Sequence, residues 1–138
     1  LDLVLKIKKT CKANNSKFYL ANNIDQAIRN NLDGVYIPSF YKHLNMQKFK
    51  NKKNFTIIGS AHNVQEMKIK EKQGVQIIFL SPIFVTKNYR RHLGIIKFNF
   101  LSLLTKKKVV ALGGINKKNL NKLKMTNVYG FSAIKYFN

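Results

Sequence analysis

Gly113-Gly114 follows the short apolar run Val109 to Leu112, and Asn116 stands two residues on, where it can open a helix. Glycines let a backbone approach an anion closely, and free N–H groups at a helix start hold its charge. One element later, Gly130-Phe131-Ser132-Ala133 ends a second apolar run, with Ile134 and Lys135 behind it. Loops after two neighbouring strands form a phosphate cup in barrels of alternating strands and helices. The loop Ser81-Pro82-Ile83-Phe84-Val85-Thr86-Lys87 adds the Thr86 hydroxyl and the Lys87 ammonium, both suited to phosphate or pyrophosphate. Ser60-Ala61-His62 closes a further run; Ser60 can hydrogen-bond a ligand, and His62 can orient one or move a proton. Plainer readings stand beside each of these. A glycine pair also makes an ordinary turn, Ser60 and His62 also satisfy loop backbone or cap a helix, and Lys87 also serves as a solvated side chain.

Carboxylates are scarce, with five in the whole chain: Asp2, Asp25, Asp33, Glu66 and Glu71. Asp25 falls in a helix's first turn, where it favours the dipole, and Asp33 in a turn. No pair stands at a strand end to hold Mg²⁺, which wants oxygen ligands of that kind. Cys11 is alone, so neither a disulfide framework nor a cysteine metal site is available. No metal ligands are assigned.

These residues need elements to hold them, and the chain offers a repeating alternation. Strands are expected near 17–21, 35–38, 55–59, 75–80, 109–112 and 129–134, as apolar runs that end in small or polar residues. Asp2 to Lys12 reads as an amphipathic helix with Leu3, Val4, Ile7 and Cys11 on its apolar side. Asn22 or Asn23 caps a second helix carrying Ile24, Ala27 and Ile28. Asn63 and Glu66 have the spacing of a capping box before a helix over Val64 to Lys72. Helices are also expected over 95–104 and 117–124. Residues 40–54 are polar and basic and carry no readable period. Repeated strand–helix units imply a parallel α/β sheet with sequential order and right-handed crossovers.

At 138 residues and 45% hydrophobic content the chain is expected to form one domain over 1–138. No apolar run approaches the roughly 18 residues that span a bilayer, and lysines interrupt the opening stretch, so no signal peptide is read there. A cytoplasmic address follows from these and the lone cysteine. The net charge of +21 admits nucleic acid or another anionic surface as partner. Its lysines lie in short scattered groups, however, with no RNA-binding or zinc-finger pattern, as a biased genome would give. The same field would also attract an anionic small molecule. The chain opens on Leu1, which suggests a processed product or a piece of a longer protein.

Taken together, IIGSAHN, GVQIIFLSPIFVTK…LG, VVALGGIN, YGFSAI and LDGVYIPS resemble the thiamin phosphate synthases and their thiazole-tautomerase relatives, the TenI group. The resemblance spans about Lys17 to Ile134, and the order and spacing of the motifs carry it. It implies a (βα)₈ TIM-barrel fold, six of whose strands are present here and whose first two βα units are missing. It implies joining of a thiazole phosphate to an aminopyrimidine pyrophosphate, with Mg²⁺ assisting pyrophosphate departure. By position, Gly113, Gly114 and the backbone of Ile134 and Lys135 would hold the thiazole phosphate. Ser60 would face the pyrimidine or pyrophosphate, Thr86 and Lys87 would contact pyrophosphate, and Ser60 and Lys87 are the catalytic candidates. His62 and Asn22 are further possible site residues.

The departures carry expectations too. Ala21-Asn22 stands where the synthases have Asn-Asp, and Tyr41 where they have a second metal-binding Asp, so weak or no Mg²⁺ binding is expected. Thr-x-Thr-Lys is shortened to Thr86-Lys87, and Pro82 occupies the position of the tautomerase histidine. The implied partners are phosphorylated thiazole and pyrimidine molecules, with no membrane and no nucleic acid, and a homo-oligomer would cover exposed strand edges. Two alternatives stay open: a thiazole-phosphate binding protein without transferase chemistry, and a basic nucleic-acid-associated protein.

Overall fold

The computed structural model describes residues 2–134 and 136. Six strands form one sheet: β1 (Tyr19–Ala21), β2 (Gly34–Ile37), β3 (Thr56–Ala61), β4 (Ile77–Leu80), β5 (Lys108–Leu112) and β6 (Gly130–Ser132). Every neighbouring pair is parallel and the order is β1-β2-β3-β4-β5-β6, as expected of consecutive strands around a barrel. The helices are α1 (Asp2–Ala13), α2 (Ile24–Arg29), α3 (Val64–Lys72) and α4 (Gly94–Leu103).

Register sorts the side chains onto two faces. Val35, Ile37, Ile57, Ile78, Leu80, Val109 and Ala111 lie under the helices and are buried, where they meet Ala27, Met67, Phe98 and Leu101. Such burial on the covered face is the main stabilising term. The opposite face carries Tyr19, Tyr36, Ile58, Ser60, Phe79 and Val110 along matching register positions. Tyr36 and Phe79 meet there edge to face, with centroids 6.3 Å apart. A cleft of about 340 Å³ opens on this face between Tyr19, Phe79 and Phe131.

Local differences from the expected elements have physical causes. α1 forms, but Leu3 and Ile7 are exposed, and Val4 is the apolar residue packed on the core. Lys8 ties the helix down instead, donating to Asn30 O at 2.7 Å. The helix expected over 117–124 is replaced by a 3₁₀ turn at Leu120–Met125. Asn116 Oδ1 accepts from the N–H groups of Lys118 and Asn119, a local bonding pattern that competes with an α-helical start. Asn23 caps α2 by accepting from Gln26 N, while Asn22 takes a left-handed φ of 59°.

Residues 40–54 link β2 to β3 without an α-helix and include a 3₁₀ turn at Gln47–Phe49, with Met46 buried beneath. Such a strand of loop must find partners for its carbonyls. Lys70 and Gln73, both 0% exposed, supply them. Lys70 Nζ donates to Tyr41 O at 2.8 Å and to Gln73 Oε1 at 3.0 Å. Gln73 Nε2 donates to Tyr41 O and His43 O, each at 2.9 Å. Burial lowers the Lys70 pKa to about 8, with the Glu66 carboxylate pulling the other way.

Asn63 caps α3, its Oδ1 accepting from Glu66 N at 2.9 Å. The expected reciprocal bond is shifted by one residue: Glu66 Oε2 accepts from His62 N at 2.7 Å and meets His62 Nδ1 at 2.9 Å. Asn63→Ala should lower stability by about 1 kcal/mol, measured by chemical denaturation. No detectable loss would mean that the Glu66 contacts hold this helix start unaided.

Candidate active site

A cleft of about 430 Å³ lies where the loops after β4, β5 and β6 converge, at the carboxyl ends of the strands. Thr86, Lys87, Gly113, Gly114 and Ile134 all line it, so the structure brings together five of the residues singled out in the sequence. Lys135 falls outside the described residues.

The glycines are required by space as well as by conformation. Gly113 has φ 96° and Gly114 φ 70°, the left-handed region that side chains avoid. A Cβ on Gly113 would meet Pro82 Cβ at 2.7 Å, and one on Gly114 would run into the carbonyls of Phe84 and Val85. The β4 loop therefore lies directly on the β5 loop, and Ile83 N and Phe84 N donate to the carbonyls of Leu112 and Gly113 at 2.9 and 3.1 Å. Asn119 Nδ2 donates to Gly114 O at 2.7 Å and steadies the turn from below.

The carbonyls of this turn are thus occupied, but its amides are not. Among the described residues, the N–H groups of Gly114, Ile115, Ala133 and Ile134 have no hydrogen-bond partner. Four unpaired donors from two adjacent loops, at one cleft, suit a phosphate's oxygens. Lys87 makes no ion pair or hydrogen bond among the described residues and adds positive charge. Thr86 is already engaged: its Oγ1 accepts from Tyr89 N at 3.0 Å and shapes the loop. Leu112, Ile115, Val85 and Ala133 make the rest of the wall apolar. Such a pocket fits a phosphate monoester with a small apolar body.

The other candidates stand apart. Ser60 is 5% exposed on β3, in register with Phe79 on the uncovered face, and its hydroxyl has no hydrogen bond among the described residues. His62 follows β3 with its ring held by Glu66. Asn22 is exposed at the end of β1. None of the three lines the cleft. Sequence reasoning did not single out Val85, Asn88, Leu112, Ile115 or Ala133, which complete the lining with Asn116. Their positions in the three loops were the available signal, since any residue flanking a converging glycine pair is a wall candidate.

A family described as thiamine monophosphate synthase matches residues 1–137. The chain is 32% identical to thiamine-phosphate synthase of Prochlorococcus marinus (strain SARG), over 94% of this chain and 38% of that protein. It is 30% identical to thiamine-phosphate synthase of Methanococcus vannielii, over 94% of this chain and 63% of that protein. Among solved structures, thiamine phosphate pyrophosphorylase from Pyrococcus furiosus superposes with a TM-score of 0.74 at 25% identity, over 91% of this chain and 61% of that one. The chain thus spans less than two thirds of each of these relatives. No helix among the described residues is long and apolar enough to cross a membrane.

Proposed function

Because the chain belongs to the thiamine monophosphate synthase family, we propose that it acts in thiamine synthesis. On this reading, a phosphorylated thiazole sits in the cleft between the β4, β5 and β6 loops and is joined to an aminopyrimidine pyrophosphate, with pyrophosphate released. The observation that carries the reading is the set of N–H groups on Gly114, Ile115, Ala133 and Ile134, around one cleft, that have no partner among the described residues. They would grip the thiazole phosphate, and Lys87 would add a charge-assisted contact at the pyrophosphate side. Ser60, buried and unbonded on the uncovered face, would meet the pyrimidine. A cytoplasmic, single-domain protein belongs to the same proposal, as does a homo-oligomer that covers the sheet edges.

The resemblance also implies Mg²⁺, and the described residues do not fit it. Asn22 offers a neutral amide, and the Tyr41 hydroxyl donates to Asn45 Oδ1 at 3.0 Å. The Asp33 carboxylate, the nearest in sequence to Tyr41, accepts from Phe18 N at 2.8 Å. Among the described residues no three His, Cys, Asp or Glu side chains cluster as a metal site would need. This mismatch favours the second reading, in which the chain binds thiazole phosphate without transferase chemistry.

Two measurements separate the readings. Calorimetric titration should detect thiazole phosphate binding, and Lys87→Ala should leave it nearly unchanged while weakening pyrophosphate binding by about tenfold. Absence of binding would overturn the cleft assignment. Pyrophosphate release with both substrates present supports the synthase reading, and binding without release supports the second. A nucleic-acid role would instead show duplex affinity that falls steeply with salt.

A further inference from the structure

α4 is apolar on both sides. Phe98 and Leu101 are buried in the core, while Ile96, Phe100 and Leu103 are 88%, 62% and 72% exposed. Spacings of four and three residues set these three on one stripe, roughly 10 Å long at 1.5 Å per residue. Asn99 Nδ2 donates to Met125 O at 2.8 Å, which fixes the 3₁₀ turn beside the helix and brings the exposed Met125 next to the stripe. A contiguous apolar surface of this kind marks a contact site, because a helix that is apolar all round needs cover on both sides.

The rim of this surface is cationic. Lys97 lies on the helix, Lys106 and Lys107 follow it, and Lys122 and Lys124 sit on the turn that Asn99 holds. Lys68 Nζ donates to Leu104 O at 3.3 Å, at the end of the helix. Glu71 is the one carboxylate that the described contacts bring near, and Thr105 and Lys68 occupy it.

We infer that this face docks on an anionic lipid bilayer. Ile96, Phe100 and Leu103 enter the boundary between headgroups and acyl chains, and the lysine rim meets the lipid anions. Charge chooses this occupant. The rim is of one sign in a chain of net charge +21, so a second copy would bring like charges together. A fluid anionic interface needs no matching shape and supplies the opposite charge. The expectation of no membrane partner rested on the lack of a spanning run, and lying on an interface needs none.

The chain contains no tryptophan, which gives a direct probe. Phe100→Trp should show a blue-shifted emission on equimolar phosphatidylglycerol–phosphatidylcholine vesicles, and part of that shift should survive 0.5 M salt. Phe100→Ser with Leu103→Ser should weaken vesicle binding at least tenfold, whereas Lys52→Ser with Lys53→Ser, far along the chain, should change it less than about threefold. Unshifted emission, or binding that salt abolishes equally in all variants, would overturn the inference. So would a concentration-dependent dimer that the Phe100→Ser, Leu103→Ser variant dissolves, because the occupant would then be a second copy.

Discussion

Gly114→Ala is expected to lower stability by about 3 kcal/mol or more and to abolish phosphate binding, while Gly94→Ala lowers stability by only about 1 kcal/mol and leaves binding intact. The two glycines have nearly the same backbone conformation, with φ 70° at Gly114 and 68° at Gly94. Their surroundings differ. A Cβ at Gly94 has nothing within 4 Å, whereas one at Gly114 would meet the Phe84 carbonyl carbon and oxygen at 2.7 Å. Backbone cannot swing aside as a side-chain tip can. The comparison therefore separates left-handed strain, common to both, from steric exclusion, which belongs to Gly114. Urea titrations of the two variants, beside calorimetry with inorganic phosphate, measure both parts. Equal losses would mean that the β4 loop yields without difficulty and that the close stacking of the two loops does not set the cleft. The same crowding makes Gly114→Asp a poor test of charge at the cleft, since it would fail on space before charge entered.

Stability should rise as pH increases from about 8 toward 10.5, and Lys70→Met should remove that rise. The folded-state pKa of Lys70 is lowered to about 8 from 10.5, by burial. Between these values the folded protein has released a proton that the unfolded chain still holds. The unfolded state then binds more protons, so raising pH favours folding. Below pH 8 both states are protonated and the full penalty of burying the ammonium is present. A shift of this size corresponds to about 3 kcal/mol across the window. The quantity to measure is the difference in unfolding free energy between the two proteins at pH 7.5, 9 and 10.5, which isolates the contribution of position 70. A difference that stays flat would show that Lys70 is not held in the low-dielectric position.

Much of the cleft's framework was legible because backbone requirements leave marks on residue type. Two successive left-handed positions against a neighbouring loop call for Gly113-Gly114, and the apolar runs before them announce strands on both sides. Asn63 was readable for the same reason, since a helix start needs an acceptor at that place. Lys70 was not. It lies three residues after Met67 on the buried side of α3, and nothing in VQEMKIKEK distinguishes it from Lys68 or Lys72. Only the carbonyls of a segment some thirty residues earlier explain its place, and the pairing of distant residues leaves no local period. The 3₁₀ turn at Leu120–Met125 escaped for a related reason, because side-chain bonds of Asn116 and Asn119 compete with a helix that apolar spacing alone would allow. Ser60 and His62 show what strand-end position does not fix. The cleft is built by the next three loops, and β3 ends outside it.

The link between β2 and β3 draws its order from its neighbours. Tyr41 and His43 are held through their main-chain oxygens by Lys70 and Gln73, and Lys50 O accepts from Gln76 Nε2 at 3.4 Å. A carbonyl is the same whatever side chain it accompanies. Apart from Met46, which fills the core, and Tyr41 and Phe49, which pack against it, this stretch is therefore free to drift in sequence while keeping its path. Mutational tolerance and structural importance part company here: the instructions for residues 41–50 are written largely at positions 70, 73 and 76.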